Sequence, residues 1–384
     1  MDATTAEARR LDIAHHFANV PDPRHRSFRD HHLLGDILVI ALSAVLAGAR
    51  SWEGIVEFGR SKEAWLRCRG LKLPNGIPSH DTFNRVFADL DPVAFQAAFT
   101  SWINGVCAAL GVRYIPIDGQ TLRGTRGPEG TCLHLVSAWA AEERLTLAQV
   151  AVEDKSNEIT AIPKVLALLD LKGALVSIDA IGCQKGIAAQ IRGGGGDYVL
   201  AVKDNQPTLA ADIDACFVQA YEDDFAGVKH DTFTTQETGH GRSEERVYTV
   251  IYEPRGLSTQ AEWVDLKAIV QVIRTRQRGD KGTVEVSYYI SSKEAAAQIL
   301  AEGIRAHWGI ENGQHWSLDV LFDQDRCRTR HKNAAENLAW LRKVALGVFR
   351  HDDTKGSVPT KQLRAALDDD YRSHLLDLLC ENSA

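Results

Sequence analysis

An α/β chain built around one mixed sheet is what the sequence predicts, and three observations carry the prediction. Residues 1 to about 110 place apolar side chains at helical spacing. From about residue 112, three short apolar runs follow one another and then alternate with helical stretches. Residues 206–290 read as a helix followed by further strand-like runs. Consecutive strands followed by strand–helix alternation point to a mixed sheet flanked by helices, of the ribonuclease-H-like kind, with an N-terminal helical domain and a β-rich insertion.

The elements follow in chain order. Leu33 to Ala49 is strongly apolar; its core, Ile37 to Ala49, is bounded by Asp36 and Arg50. At roughly a dozen residues it is too short to span a bilayer and reads as a core helix. Ser51 is placed to cap a second helix, Pro74, Gly76 and Pro78 mark a loop, and Ser79-His80-Asp81-Thr82-Phe83 opens another helix with Phe83, Val86, Phe87 and Leu90 on one face. This is a small helical bundle compatible with a helix-turn-helix, and a candidate for DNA binding. Tyr114 to Ile117 reads as a strand ending at Asp118, and Leu133–Ala140 and Leu145–Val152 as two more, joined by a Glu-Glu-Arg turn. A helix over 157–169, a strand over 174–178 ending at Asp179, a helix over 183–192 and a strand over 197–202 come next. The insertion, about 206–290, contains strands at 245–252, 266–273 and 284–290. Helices over 295–319 and 333–350 close a catalytic domain of 111–350, and 351–384 reads as a C-terminal tail of linker and short helix.

Composition is that of an ordinary soluble globular protein. The net charge of −7 excludes a chain coated in basic surface but leaves room for a local basic stripe. Seven scattered cysteines without a Cys-x-x-Cys argue against a disulfide framework or zinc ribbon and fit a reducing cytoplasm. Met1-Asp2-Ala3-Thr4 lacks a basic region followed by an apolar stretch, so no secretory signal and no membrane association is expected.

Three acids stand in informative contexts: Asp118 in Ile-Pro-Ile-Asp-Gly-Gln, Asp179 in Leu-Val-Ser-Ile-Asp-Ala and Glu311 in His-Trp-Gly-Ile-Glu-Asn. Carboxylates at strand ends can face a ligand crevice, and a few of them suffice for magnesium, which favours hard oxygen ligands. Two such ions can hold both the attacking and the leaving oxygen of a phosphodiester displacement. Any single acid is more simply a cap or a surface charge. His307, Glu311 and His315 fall at i, i+4 and i+8, one helical face. Zinc is an alternative ligand there, although the spacing is not His-Glu-x-x-His, and so is a core helix with satisfied histidines. Downstream, Arg326, Arg328, Arg330 and Lys332 put four positive charges within seven residues. Such a run offers either phosphate contacts or a solvated face.

Together these motifs resemble the insertion-sequence transposases of the DDE class, in the ISAs-type group that includes the H-repeat-associated proteins of Rhs elements. The resemblance runs from about residue 18 to 350 and rests on motifs throughout. Early ones are Asp22-Pro23-Arg24, Ala47-Gly48-Ala49-Arg50 and the stretch from Gly76 to Arg85. Ile117-Asp118-Gly119, Leu135 to Trp139, Lys155 to Pro163 and Ile178-Asp179-Ala180 with Cys183-Gln184-Lys185 are more specific. Asn205-Gln206, Gly239-His240-Gly241-Arg242 and the run from Arg305 to Asn312 with His315-Trp316 complete the set.

The resemblance implies Mg2+-dependent cut-and-join chemistry on double-stranded DNA, with Mn2+ able to substitute. Asp118, Asp179 and Glu311 match the family's catalytic, metal-holding acids. Lys203, Arg305, His307 and the run from Arg326 to Lys332 would grip DNA, and Trp308 or Trp316 would stack on an unpaired base. Inverted-repeat ends and target DNA are the expected partners of a homodimer formed on DNA, in a bacterial-type cytoplasm at the nucleoid. Gln120, Gln314 and Gln324 stand where the family often has Lys, Leu and Glu, and Gln120 is expected to weaken a phosphate contact. A DNA-binding relic without turnover and a nuclease without strand transfer are the competing readings.

Overall fold

The computed structural model describes residues 17–25, 27, 31–127, 130–152, 158–239 and 241–381. Among these, six helices precede the first strand: α1 (Leu34–Leu46), α2 (Trp52–Ser61), α3 (Glu63–Cys68), α4 (His80–Asp89), α5 (Pro92–Ala97) and α6 (Thr100–Leu110). The Ser51 hydroxyl accepts from the Gly54 amide at 3.2 Å, the cap expected from the sequence, and that of Ser79 accepts from the Thr82 amide at 3.3 Å and caps the helix it opens.

Nine strands follow: β1 (Tyr114–Leu122), β2 (Leu133–Ala140), β3 (Leu145–Val152), β4 (Leu175–Ile178), β5 (Asp197–Val202), β6 (His230–Gly239), β7 (Arg242–Tyr252), β8 (Ala268–Arg278) and β9 (Lys281–Ser291). They form one mixed sheet in the order β3-β2-β1-β4-β5-β9-β8-β7-β6. Its first five strands have the ribonuclease-H arrangement, two antiparallel pairings followed by the parallel pairs β1–β4 and β4–β5. The expected insertion extends this sheet, because β9 pairs with β5. It also holds one strand more than the sequence pattern predicts: β6 is exposed over most of its length and lacks the apolar alternation that marks a half-buried strand.

One face of the sheet is covered by α7 (Glu158–Leu166), α8 (Lys185–Gly193) and α9 (Pro207–Glu222), through Ile162, Val165, Ile187, Ile191, Ile213 and Phe217. On the other face α10 (Ala297–Gly309) packs Leu300 and Ile304 on Tyr114 and Leu175. Gly303 makes this approach possible, since a Cβ there would meet Leu175 Cδ2 at 2.6 Å. A π-helical turn, Ile310–His315, and α11 (Trp316–Leu321) continue from α10, where a single regular helix is expected from the sequence.

The last helices are α12 (Ala334–His351), α13 (Val358–Leu367) and α14 (Asp369–Glu381). The tail expected as a linker and short helix is therefore two helices, and Leu375, Leu376 and Leu379 bury in the same core as Phe83, Phe87, Phe95 and Trp102. Its polar spacing hides this, because only one narrow stripe of each helix is apolar. No helix among the described residues is long and apolar enough to cross a membrane.

Asp352 pins this C-terminal unit. Its carboxyl is fully buried and receives Lys361 Nζ at 3.1 Å, together with the hydroxyls of Thr354 and Tyr371. Asp352, Asp353 and His374 form the one tight trio of candidate ligand atoms among the described residues, but these donors already occupy Asp352. Burial alone would raise the carboxyl, yet its donors outweigh burial and hold it at about 2, below the unfolded value of 3.8. The resulting stability is complete above pH 4, on the order of 2 kcal/mol, and is lost as pH falls towards 2. Asp352→Asn should therefore destabilise the protein at pH 7 by about 2 kcal/mol or more in urea unfolding, with the gap from the parent narrowing below pH 4.

Candidate active site

Strand register brings the first two acids together. β1 and β4 run parallel with Ile117 opposite Ile178, so Asp118 and Asp179 follow side by side. Asp118 does not end its strand, contrary to the expectation from the sequence. β1 continues to Leu122 because β2 pairs with it as far as Leu133, whereas β4 stops at Ile178. Tyr114, Leu175 and Asp118 share one face, the face that α10 covers. Asp179 turns the chain into the next helix: its Oδ1 accepts from the amides of Ile181 and Gly182 at 3.1 and 3.3 Å. The Asn205 and Gln206 side chains donate to the Ala180 and Cys183 carbonyls and brace the same turn.

The third acid arrives on the π turn. Glu311 is exposed, and the wider turn breaks the single face expected for His307, Glu311 and His315. The turn is seated on Trp139 of β2, where a Cβ on Gly309 would come 2.9 Å, and one on Gly313 3.1 Å, from the indole. His315 Nδ1 lies 3.5 Å from Asp118 Oδ2, and its Nε2 is buried without a partner. Burial, with Lys343 and the other histidines adding repulsion, lowers His315 to about 3; burial lowers His307 to about 4. Both rings are therefore neutral near pH 7.

The three acids feel one another's charge. Burial pushes the Asp118 carboxyl up to about 7, against a hydrogen bond from the Gly119 amide, and the charges of Glu311, Asp179 and Glu158 raise it further. Asp179 is raised by burial and by Glu158, with Lys203 opposing; Glu311 is raised by burial and by Asp179. Carboxylates that repel one another in this way fit a hard divalent cation, which would reverse the penalty. Their oxygens do not close onto one point as tightly as the trio at Asp352 does.

The residues expected to grip DNA divide. Lys203 is exposed beside Asp179. Arg326, Arg328 and Arg330 are exposed and, with Arg50, Ser51 and His331, line a cavity of about 600 Å3 at the start of α2. Lys332 is held by Asp89 at 2.5 Å and Arg305 by Glu237 at 2.9 Å. Trp308 stacks with Arg274 at 5.2 Å, and Trp316 is 57% exposed. His307 is turned inward, its Nδ1 buried without a partner.

Sequence reasoning gives no role to several residues that the fold places here. Ser137 and Gln149 lie in one cross-strand row with Asp118 and accept from Lys343 Nζ at 2.6 and 2.9 Å. Burial, opposed by the charge of Glu336, lowers that lysine to about 7. His134 and Glu158 meet over Gly119. Glu158 stands in the Lys155 to Pro163 motif, so a signal is present, but residues 155–157 of that motif and His240 lie outside the described residues.

Comparison with known proteins gives concordant results. Residues 113–347 match the model of the transposase DDE domain, and residues 14–103 match that of the region associated with it. The chain is 40% identical to "Putative transposase YncI" of Escherichia coli O157:H7, over 93% of this chain and 92% of that protein. It is 35% identical to "H repeat-associated putative transposase YhhI" of Escherichia coli strain K12, over 95% and 97%. It is 46% identical to an uncharacterised protein from the dhlA 3′ region of Xanthobacter autotrophicus, over 73% and 94%. Among solved structures, a piggyBac transposase synaptic complex with hairpin DNA aligns with a TM-score of 0.42 and 11% identity, over 98% of this chain and 81% of that one.

Two departures from the resembled pattern meet in space. Gln324 donates to Gln120 Oε1 at 3.2 Å, and Gln120 donates to Asp319 at 3.2 Å. Both glutamines are buried, and Gln120 is held between Gln324 and Asp319 two residues beyond the first acid. A neutral amide pair thus stands where the family often has Lys and Glu. Gln324→Glu alone should bury a carboxylate near Asp319 and cost about 2 kcal/mol or more in guanidinium unfolding. Adding Gln120→Lys should return part of that, with an interaction of about 0.5–3 kcal/mol in the double-mutant cycle. Strictly additive effects would show that the two positions do not work as a pair.

Proposed function

The chain belongs to the family of transposases built on the DDE domain, and on that premise we propose that it cleaves DNA strands at insertion-sequence ends and joins them to target DNA. What supports this reading is that the parallel pairing of β1 with β4 sets Asp118 beside Asp179, and that the charge of Glu311, on the π turn, reaches Asp118. Mg2+, or Mn2+ in its place, held by these three residues would supply the Lewis acidity that activates the attacking oxygen and stabilises the leaving one.

The remaining roles fall to the chain itself. Neutral His315 lies against Asp118 and leaves that carboxylate free to act as a ligand. Lys203 and the exposed arginines Arg326, Arg328 and Arg330 offset the acids' repulsion of the phosphate backbone. Trp316 offers an open ring face for an unpaired base. The N-terminal helices add Arg50 and the start of α2 to the same basic cavity, which supports a share for them in DNA binding. Inverted-repeat ends and a target duplex are the substrates, a homodimer formed on DNA is the working unit, and the cytoplasm at the nucleoid is the place.

Asp118→Asn and Asp179→Asn should each abolish Mg2+-dependent nicking and strand transfer on end-containing DNA while leaving DNA binding close to the parent's. Nicking without joined products by the parent would reduce the function to that of a nuclease, and binding without either to that of a relic.

Replacing Arg326, Arg328 and Arg330 with alanine should flatten the salt dependence of duplex binding by about 0.9 for each phosphate that is no longer neutralised, near 3 if every arginine pairs with one. Affinity should fall equally for end-containing and random DNA, since phosphate contacts carry no sequence information. Lys332→Ala should change the slope little, because Asp89 holds that lysine closely, at 2.5 Å, whereas Arg326 only meets Asp323 loosely, at 3.6 Å.

A further inference from the structure

Glu158 opens α7 and lies on the far side of the sheet from α10, yet its charge reaches both Asp118 and Asp179. The geometry explains how. Beyond Ile178, β4 no longer flanks β1, so the backbone at Gly119 is open on that side. His134, from β2, and Glu158 close over it. His134 Nε2 stands 2.6 Å from Glu158 Oε1, at an angle too oblique for a straight hydrogen bond. Nδ1 of the same ring is 2.8 Å from the Thr121 hydroxyl. With Thr121 donating, the ring proton sits on Nε2, the nitrogen beside the carboxylate.

Gly119 is what lets this pair sit against the first acid. A Cβ at that position would collide with both Glu158 Oε1 and His134 Nε2. Its φ is not among the positive ones, so the glycine provides room and not backbone freedom. A contact that served only to dock α7 would not need to lie on the residue next to Asp118, nor to add a fourth negative charge to a site already strained by three.

We propose that Glu158, clamped by His134 over Gly119, is a fourth acidic member of the site, a positioning residue that adds its charge to those of Asp118 and Asp179 in holding a divalent cation. The proposal rests on the strand-cleaving reading above. It is tested on the full chain with Mn2+ alone, by calorimetric titration, and by melting in EDTA for stability without metal. Asp118→Asn should lose Mn2+ binding. Glu158→Gln should weaken it on the order of 10–100-fold, as loss of an outer partner does at other metal sites. Its melting temperature in EDTA should hold or rise, because a repulsion is removed. Gly119→Ala, which keeps every carboxylate but displaces the pair, should weaken Mn2+ binding in the same direction. Parental Mn2+ affinity in both Glu158→Gln and Gly119→Ala, with binding lost in Asp118→Asn, would overturn the proposal and leave Glu158 a packing residue of α7. Parental affinity in Asp118→Asn would overturn the underlying reading as well.

Discussion

The in-register parallel pairing of β1 with β4 is the constraint on which the rest of the molecule depends. It forces Asp118 and Asp179 next to each other where the sheet's apolar core ends. Burial and like charge then work against both carboxylates, and the surrounding structure has to hold them there. The cross-strand pair Ser137 and Gln149 with Lys343 of α12, the bracing amides of Asn205 and Gln206, and the neutral rings of His307 and His315 all serve that end. Placing a lysine there without exposure to water is itself costly, and it is tolerated because three neighbouring groups share its charge and protons.

The third acid is delivered differently. A regular helix from Ala297 to Leu321 would carry Glu311 in step with His307 and His315. The π turn takes it out of step, leaving the carboxylate open to solvent while the histidines stay packed. Trp139 sets where this happens, since its indole accepts only residues without a Cβ at Gly309 and Gly313. Two of the acids thus follow from paired strands, and the third stands on an irregular turn of a kind often found at functional sites.

Much of this is legible in the sequence, and the omissions have physical causes. Buried strands rich in apolar residues, such as Leu133–Ala140 and Asp197–Val202, and the serine-capped helices lie where expected. The two aspartates stand out because each ends an apolar run, and Glu311 because histidines and tryptophans flank it at helical spacing. β6 is invisible because an exposed edge strand carries no hydrophobic pattern. The extension of β1 past Asp118 depends on β2, and the π turn depends on Trp139; both are tertiary effects that local propensity does not encode. Gln120 and Gln324 each look like an isolated departure, and only their hydrogen bond makes them one change. Glu158 sits in a recognised motif, but nothing in its neighbours reveals that it returns to Gly119.

The helices at the two ends of the chain share one core. Lys62, Trp65 and Arg69 on one side meet Asp369, Ser373 and Asp377 on the other, partners about three hundred positions apart. A nascent chain leaving the ribosome therefore carries Phe83, Phe87, Phe95 and Trp102 without their final cover until its last helix has emerged. At the usual pace of synthesis, roughly 5–20 residues per second, that is an interval of tens of seconds in which an apolar surface waits for its partner. Closure of so long a loop is slow compared with local folding, which makes the completed molecule a late event. Premature termination anywhere before α14 would leave this surface open, and such fragments would be candidates for aggregation or proteolysis before they could reach DNA.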